Sequence, residues 1–154
     1  MATMRRPRVS TVTTQPGYRL ALEFINGTTY VIDLSADVRK LSGLRPLQEG
    51  AAFASVRVSE GGWSVEWIEL DIQIGADTLW MDALEQNALN EGQRAFLRWR
   101  SRNGLSLSAA ADALGLTSRT VSAYGTGARP VPKTVLLACE GWEAQALVRS
   151  ALHF

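Results

Sequence analysis

Residues 104–132 constrain the chain most. The stretch runs Gly104-Leu-Ser-Leu-Ser-Ala-Ala-Ala-Asp-Ala-Leu-Gly115-Leu-Thr-Ser-Arg-Thr-Val-Ser-Ala-Tyr124-Gly-Thr-Gly-Ala-Arg-Pro-Val-Pro132. Leu107, Ala110, Ala111 and Leu114 fall at i, i+3, i+4 and i+7, one face of a short helix. Ser106 stands where a hydroxyl can accept from a free backbone N–H one turn on. Gly115 follows the last apolar residue, where a left-handed backbone ends a helix at little steric cost. Thr117 is placed to cap a second helix, whose buried side is Val121 and Tyr124. Ser118, Arg119, Ser122 and Ala123 fall on or near its other side. Two short helices about a glycine turn, the second carrying small polar residues and one arginine, form a helix-turn-helix pattern.

The pattern resembles the phage-repressor (Xre/Cro-like) family, whose fold is the all-α lambda-repressor type. The matching residues are Leu105-Ser106, Ala111, Leu114-Gly115-Leu116-Thr117, Thr120-Val121-Ser122 and Gly127, with Phe96, Trp99 and Arg100 in the helix before. The match spans roughly residues 90–140. Two positions depart from it. Leu107 stands where the family usually has glutamine. Gly125 stands where it often has a glutamate facing the arginine of the preceding helix. Arg100 therefore either pairs elsewhere or is free for a phosphate.

The resemblance implies double-stranded DNA as partner, with the second helix in the major groove. Arg119 is the expected base reader, since a guanidinium can bond O6 and N7 of guanine together. Ser118 and Ser122 are short enough to reach a base or phosphate, and Ala123 can meet a thymine methyl. Thr120, Arg102, Arg129 and Lys133 are the expected phosphate contacts. One such unit covers little DNA, so a homodimer on paired half-sites is expected, its seam either the 142–154 helix or the acidic domain.

Charge follows the same division. The chain of 154 residues has a formal net charge of +1. Residues 1–8 carry +3, residues 9–89 carry −6, and residues 90–154 carry +4. The basic segment holds the helix-turn-helix pattern and suits a polyanion. Residues 1–8 read as a basic flexible arm. Arg5, Arg6 and Arg8 either follow DNA or belong to a solvated terminus.

Residues 9–86 read as a small antiparallel-sheet α+β domain that would serve dimerisation, partner binding or ligand binding. Val9 to Thr14 is rich in β-branched residues, and Gln15-Pro16-Gly17 is a turn signal. Tyr18, Leu20, Leu22 and Phe24 alternate with more polar neighbours, and Asn26-Gly27 is a strong hairpin signal before Thr28–Asp33. Ser35 is expected to cap a short helix. Phe53–Ser59 is expected as a strand, Glu60-Gly61-Gly62 as a turn, and Trp63–Ile68 as the returning strand with Trp63, Val65 and Trp67 on one face. Asp71–Gly75 is ambiguous, and Asp77 is placed to cap a helix containing Leu79 and Trp80. This part is similar to a small α+β family known only as a domain of unknown function. The similarity rests on Tyr18 through Gly27, Pro46-Leu47, Phe53, Val56, Trp67, Asp71, Leu79 and Trp80. Such domains occur alone, near toxin–antitoxin-like loci, and fused to a helix-turn-helix.

Residues 87–154 then form the helix-turn-helix domain, entered through Asn87–Gly92, with Leu89, Phe96 and Trp99 expected inward. Val135, Leu136 and Cys139 build a further helix that Gly141 is expected to interrupt. Ala144, Leu147, Val148, Ala151 and Leu152 form an apolar stripe that packs on its own domain or makes a dimer seam.

Catalysis is poorly supported. The sole histidine, His153, is next to last, and Cys139, the sole cysteine, reads as a buried inert thiol. Glu60, Glu66, Glu69, Asp71, Asp77 and Asp82 match no metal-loop spacing and read as a solvated sheet edge. No metal and no cofactor are expected. There is no run of eighteen apolar residues and no signal-peptide core, so a cytoplasmic protein is expected. The sequence thus predicts a sequence-specific transcriptional regulator, more a repressor than an activator. The alternative is an antitoxin-like protein that binds a toxin-like partner through its acidic domain.

Overall fold

The computed structural model describes residue 4 and residues 6–152. The chain is α+β, with its antiparallel sheets in the first half and helices throughout the second. It divides into two compact units, Met1–Gln86 and Asn87–Phe154.

The first unit contains two three-stranded antiparallel sheets. One joins β1 (Val9–Gln15), β2 (Arg19–Phe24) and β3 (Thr29–Asp33) in that order. Period-two alternation works as expected, because Leu20, Leu22 and Phe24 of β2 are all buried. Asn26-Gly27 closes the β2–β3 hairpin, with the Asn26 side chain accepting from the Thr28 N–H at 3.1 Å. The other sheet joins β4 (Arg57–Val58), β5 (Ser64–Trp67) and β6 (Ile72–Gly75). Between the sheets in sequence lie α1 (Ser35–Lys40), a 3-10 segment and the single turn α2 (Gly50–Phe53). Helix α3 (Ala76–Gln86) ends the unit. Its Trp80 meets Phe24 and Tyr30 edge to face, at ring separations of 4.8 and 5.9 Å.

Several local expectations are corrected. The segment expected as a strand from Phe53 begins in α2 instead, and only Arg57–Val58 pairs. Phe53 is buried because this turn lays its ring beside Tyr18 and Trp67, and its carbonyl accepts the Trp67 indole N–H at 2.9 Å. Ser35 is the first residue of α1 rather than its cap; Asp33 accepts from the Ser35 side chain and from the Ser35 N–H, the latter at 2.8 Å, and the two bonds lower the Asp33 pKa. Trp63 lies outside the core, 49% exposed, while Val65 and Trp67 are buried. The 61–62 turn does need glycine. A Cβ on Gly62 would stand 2.3 Å from the Val9 carbonyl oxygen, so β1 passes too close for any side chain.

The second unit is all helical: α4 (Glu91–Arg102), α5 (Leu107–Leu114), α6 (Ser118–Thr126) and α7 (Lys133–Leu152). Its core is Phe96, Trp99, Ala110, Ala111, Val121, Tyr124 and Cys139. Phe96 lies beside Trp99 with the rings tilted, and Phe96–Tyr124 and Trp99–Trp142 meet edge to face. Helix α4 starts at an Asn90 cap, which accepts from the Gln93 N–H. Leu89 lies outside the core, 77% exposed, because it precedes that cap. Gly141 does not interrupt α7, which runs unbroken through it. A mid-helix glycine costs about 1 kcal/mol, less than the buried side of α7 repays. The stripe at Ala144, Leu147, Val148, Ala151 and Leu152 is exposed at every position, so it does not pack on its own unit.

Candidate nucleic-acid interface

Helix α5, a tight turn and α6 are built as the capping residues dictate. The Ser106 hydroxyl accepts the Ala109 N–H at 3.0 Å, and Gly115 ends α5 in the left-handed conformation. The Thr117 hydroxyl oxygen accepts the Thr120 N–H at 3.1 Å and starts α6. Val121, Tyr124 and Gly125 face the core. Arg119, Ser122, Ala123 and Thr126 then follow at i, i+3, i+4 and i+7 on the opposite side. Arg119 sits at the N-terminal end of this face, exposed and without a hydrogen-bond or ion-pair partner among the described residues. Ser118 is exposed beside it; Ser122 and Ala123 are half-buried at its edges. Thr126 was not among the expected contacts, although its i+7 spacing from Arg119 places it on the face.

The expected phosphate contacts fare differently. Lys133 is exposed at the first residue of α7. The partial positive charge of the helix start adds to its own there, so one anion would feel both. Arg129 is exposed just past α6, with its guanidinium carbon 5.8 Å from the centre of the Tyr124 ring. The Thr120 hydroxyl is already engaged by that of Thr117 at 3.0 Å. Arg102 is committed elsewhere. Its Nε and Nη2 donate to the two Glu143 carboxylate oxygens at 2.9 and 2.8 Å. This fork lowers the Glu143 pKa and raises that of Arg102. Spacing along one helix could not show a pair 41 residues apart.

Arg100 also pairs elsewhere. Its Nε donates to the Leu105 carbonyl at 2.8 Å, while the Leu105 N–H donates to the Arg100 carbonyl at 3.0 Å. The two bonds fix the α4–α5 turn, and burial lowers the Arg100 pKa. Arg8 is likewise not part of a free arm. Its Nε donates to the Gly61 carbonyl at 2.6 Å, and its guanidinium lies 4.8 Å from the centre of the Trp63 ring. Arg6 is exposed, whereas Arg5 and His153 lie outside the described residues.

The acidic run in the first unit does not converge. Glu66 pairs with Arg57 at 3.3 Å, and Asp77 accepts from the Thr78 N–H. Among the described residues no cluster of His, Cys, Asp or Glu could hold a metal, and no helix is long and apolar enough to cross a membrane.

Comparison with known proteins identifies the first unit. Residues 9–85, half of the chain, match the family described as "Protein of unknown function (DUF2442)". The chain belongs to the DUF2442 family. The match covers β1 through nearly all of α3, which is the whole sheet-bearing core of the first unit. A solved structure extends the likeness beyond the DUF2442 segment. It is the crystal structure from Nitrosomonas europaea ATCC 19718 named "Putative DNA Binding Protein NE0471". It is 36% identical, with a TM-score of 0.61, and the match covers 94% of this chain and 91% of that one. No curated protein matches the chain.

Proposed function

We propose that this DUF2442 protein is a sequence-specific DNA-binding regulator of the Xre/Cro-like kind, acting as a repressor and reading the major groove with α6. One observation carries the reading: Arg119 stands in the first turn of a capped helix, on its open face, exposed and without a hydrogen-bond or ion-pair partner among the described residues. Ser118, Ser122, Ala123 and Thr126 surround it as base-contact groups, while Arg129 and Lys133 supply the backbone contacts. The name of the Nitrosomonas structure agrees with this reading. The protein is a binding protein in this proposal, not an enzyme.

The proposal includes a homodimer. One helix reads a few base pairs, and paired half-sites need two copies. The exposed stripe on α7, with Leu147 68% and Val148 60% exposed, supports it as the seam. A second reading, a protein partner taken by the acidic first unit, draws on Ile25, Val31 and Ile68, which are exposed there.

Fluorescence anisotropy across a salt series tests the proposal, using a duplex selected by the protein from a random-sequence pool and a scrambled control. The expected result is preference for the selected duplex. Arg119→Ala should erode it by about 1–3 kcal/mol, the worth of one bidentate base contact. Lys133→Ala should weaken both duplexes alike and lower the salt slope by about one. If no duplex is selected even at low salt, the DNA reading is wrong and a protein partner takes its place.

A further inference from the structure

We infer that Gln93 is a positioning residue for α6, tying its last turn to the chain segment that enters the helical unit. The inference rests on the DNA-reading role proposed above. Gln93 is only 4% exposed, a rare setting for a glutamine that contributes nothing. Its Oε1 accepts the Leu89 N–H at 2.7 Å, and its Nε2 donates to the Gly125 carbonyl at 2.9 Å. The Gly125 carbonyl belongs to the last turn of α6, where a helix leaves its own carbonyls unpaired.

The amide can take only one orientation. A donor faces Oε1 and an acceptor faces Nε2, so a flipped amide would lose both bonds. Space is cleared for it as well. A Cβ on Gly127 would come within 3.2 Å of Nε2 and 3.3 Å of Oε1, and 3.1 Å from a Leu89 methyl. Thus Thr117 fixes the start of α6, and Gln93 fixes its end. The path to Arg129 and Lys133 leaves from that end. Gln93 therefore sets the angle between the base-reading face and the two phosphate contacts. It carries no charge, so its loss should cost fit and leave the count of phosphate contacts intact.

The full chain is compared with its Gln93→Ala and Gln93→Glu variants. Ionised glutamate keeps the shape and the acceptor for Leu89 but cannot donate to Gly125, so this variant is measured at a pH where NMR shows the introduced carboxyl to be ionised. Amide exchange, measured by NMR on free protein, should show Leu89 protected in the wild type and Gln93→Glu, and rapidly exchanging in Gln93→Ala. Against the selected duplex, both variants should bind about three- to tenfold more weakly, as for one lost buried hydrogen bond. Their preference over the scrambled duplex should shrink while the salt slope stays unchanged. Because Gln93→Glu is isosteric, it serves even if Gln93→Ala fails to fold. Equal Leu89 protection in a folded Gln93→Ala, or wild-type binding by Gln93→Glu, overturns the inference. Failure of the wild type to select any duplex sinks the DNA reading and the positioning role with it, whatever the exchange rates.

Discussion

Replacing Thr117 by alanine removes the oxygen that accepts the Thr120 N–H and the partner of the Thr120 hydroxyl. The expected loss is about 1 kcal/mol, read as a lower denaturant midpoint in chemical unfolding. Serine at the same position should keep most of that stability. Such caps were legible in the sequence, because a cap needs only a side chain and an amide within one turn. Ser106, Thr117 and Gly115 all act as their local spacing implies. The residues that spacing missed work at longer range. Gln93 reaches 32 residues along the chain to Gly125, and Arg102 reaches 41 to Glu143. Nothing in a window of one helix distinguishes Arg102, held in a fork, from Arg119, left open.

Helix α7 shows the same limit for a whole element. Its apolar stripe is plain in the sequence, but periodicity does not say what covers it. The first turns bury Cys139 and half-bury Val135, Leu136 and Trp142 against the other helices. From Ala144 onward every described position is exposed except the half-buried Ala146. Arg149 is the only charged residue in that stretch. A helix apolar on most sides is normally covered. The wild type should therefore sediment at twice the chain mass, and Val148→Glu at the single-chain mass with its helical content retained. A wild type that sediments as a single chain at micromolar concentration would remove α7 as the seam. Helix α2 failed for the opposite reason. The strand expected over Phe53–Ser59 shrinks to Arg57–Val58 because Phe53 closes the single turn α2, and a short apolar run does not separate a strand from a helical turn.

Across the whole chain, charge and fold divide at the same place. Residues 9–89 carry −6 and residues 90–154 carry +4, and the structural division falls between Gln86 and Asn87. In the acidic first unit, Asp82 is a carboxyl that should respond to pH between about 4 and 6. Burial, with Asp37 and Glu85 nearby, raises the Asp82 pKa from 3.8 to about 6. The folded chain thus holds this proton where the unfolded chain has lost it. Its contribution is full below about pH 4 and disappears as pH rises through about 6. Asp82→Asn should match the wild type in melting temperature near pH 4 and exceed it at pH 7. An unchanged difference across that range would remove the assignment. The α+β class, the hairpins and the helical core were readable from pattern, whereas the state of Asp82 depends on groups brought in from α1 and from its own helix. The buried thiol of Cys139 offers a clock for one unit alone. It is the sole cysteine in the chain, 3% exposed, with a pKa pushed up to about 12. A thiol reagent should therefore stay colourless on the native protein and develop colour only as the helical unit opens, leaving the unfolding of the sheet-bearing unit unrecorded.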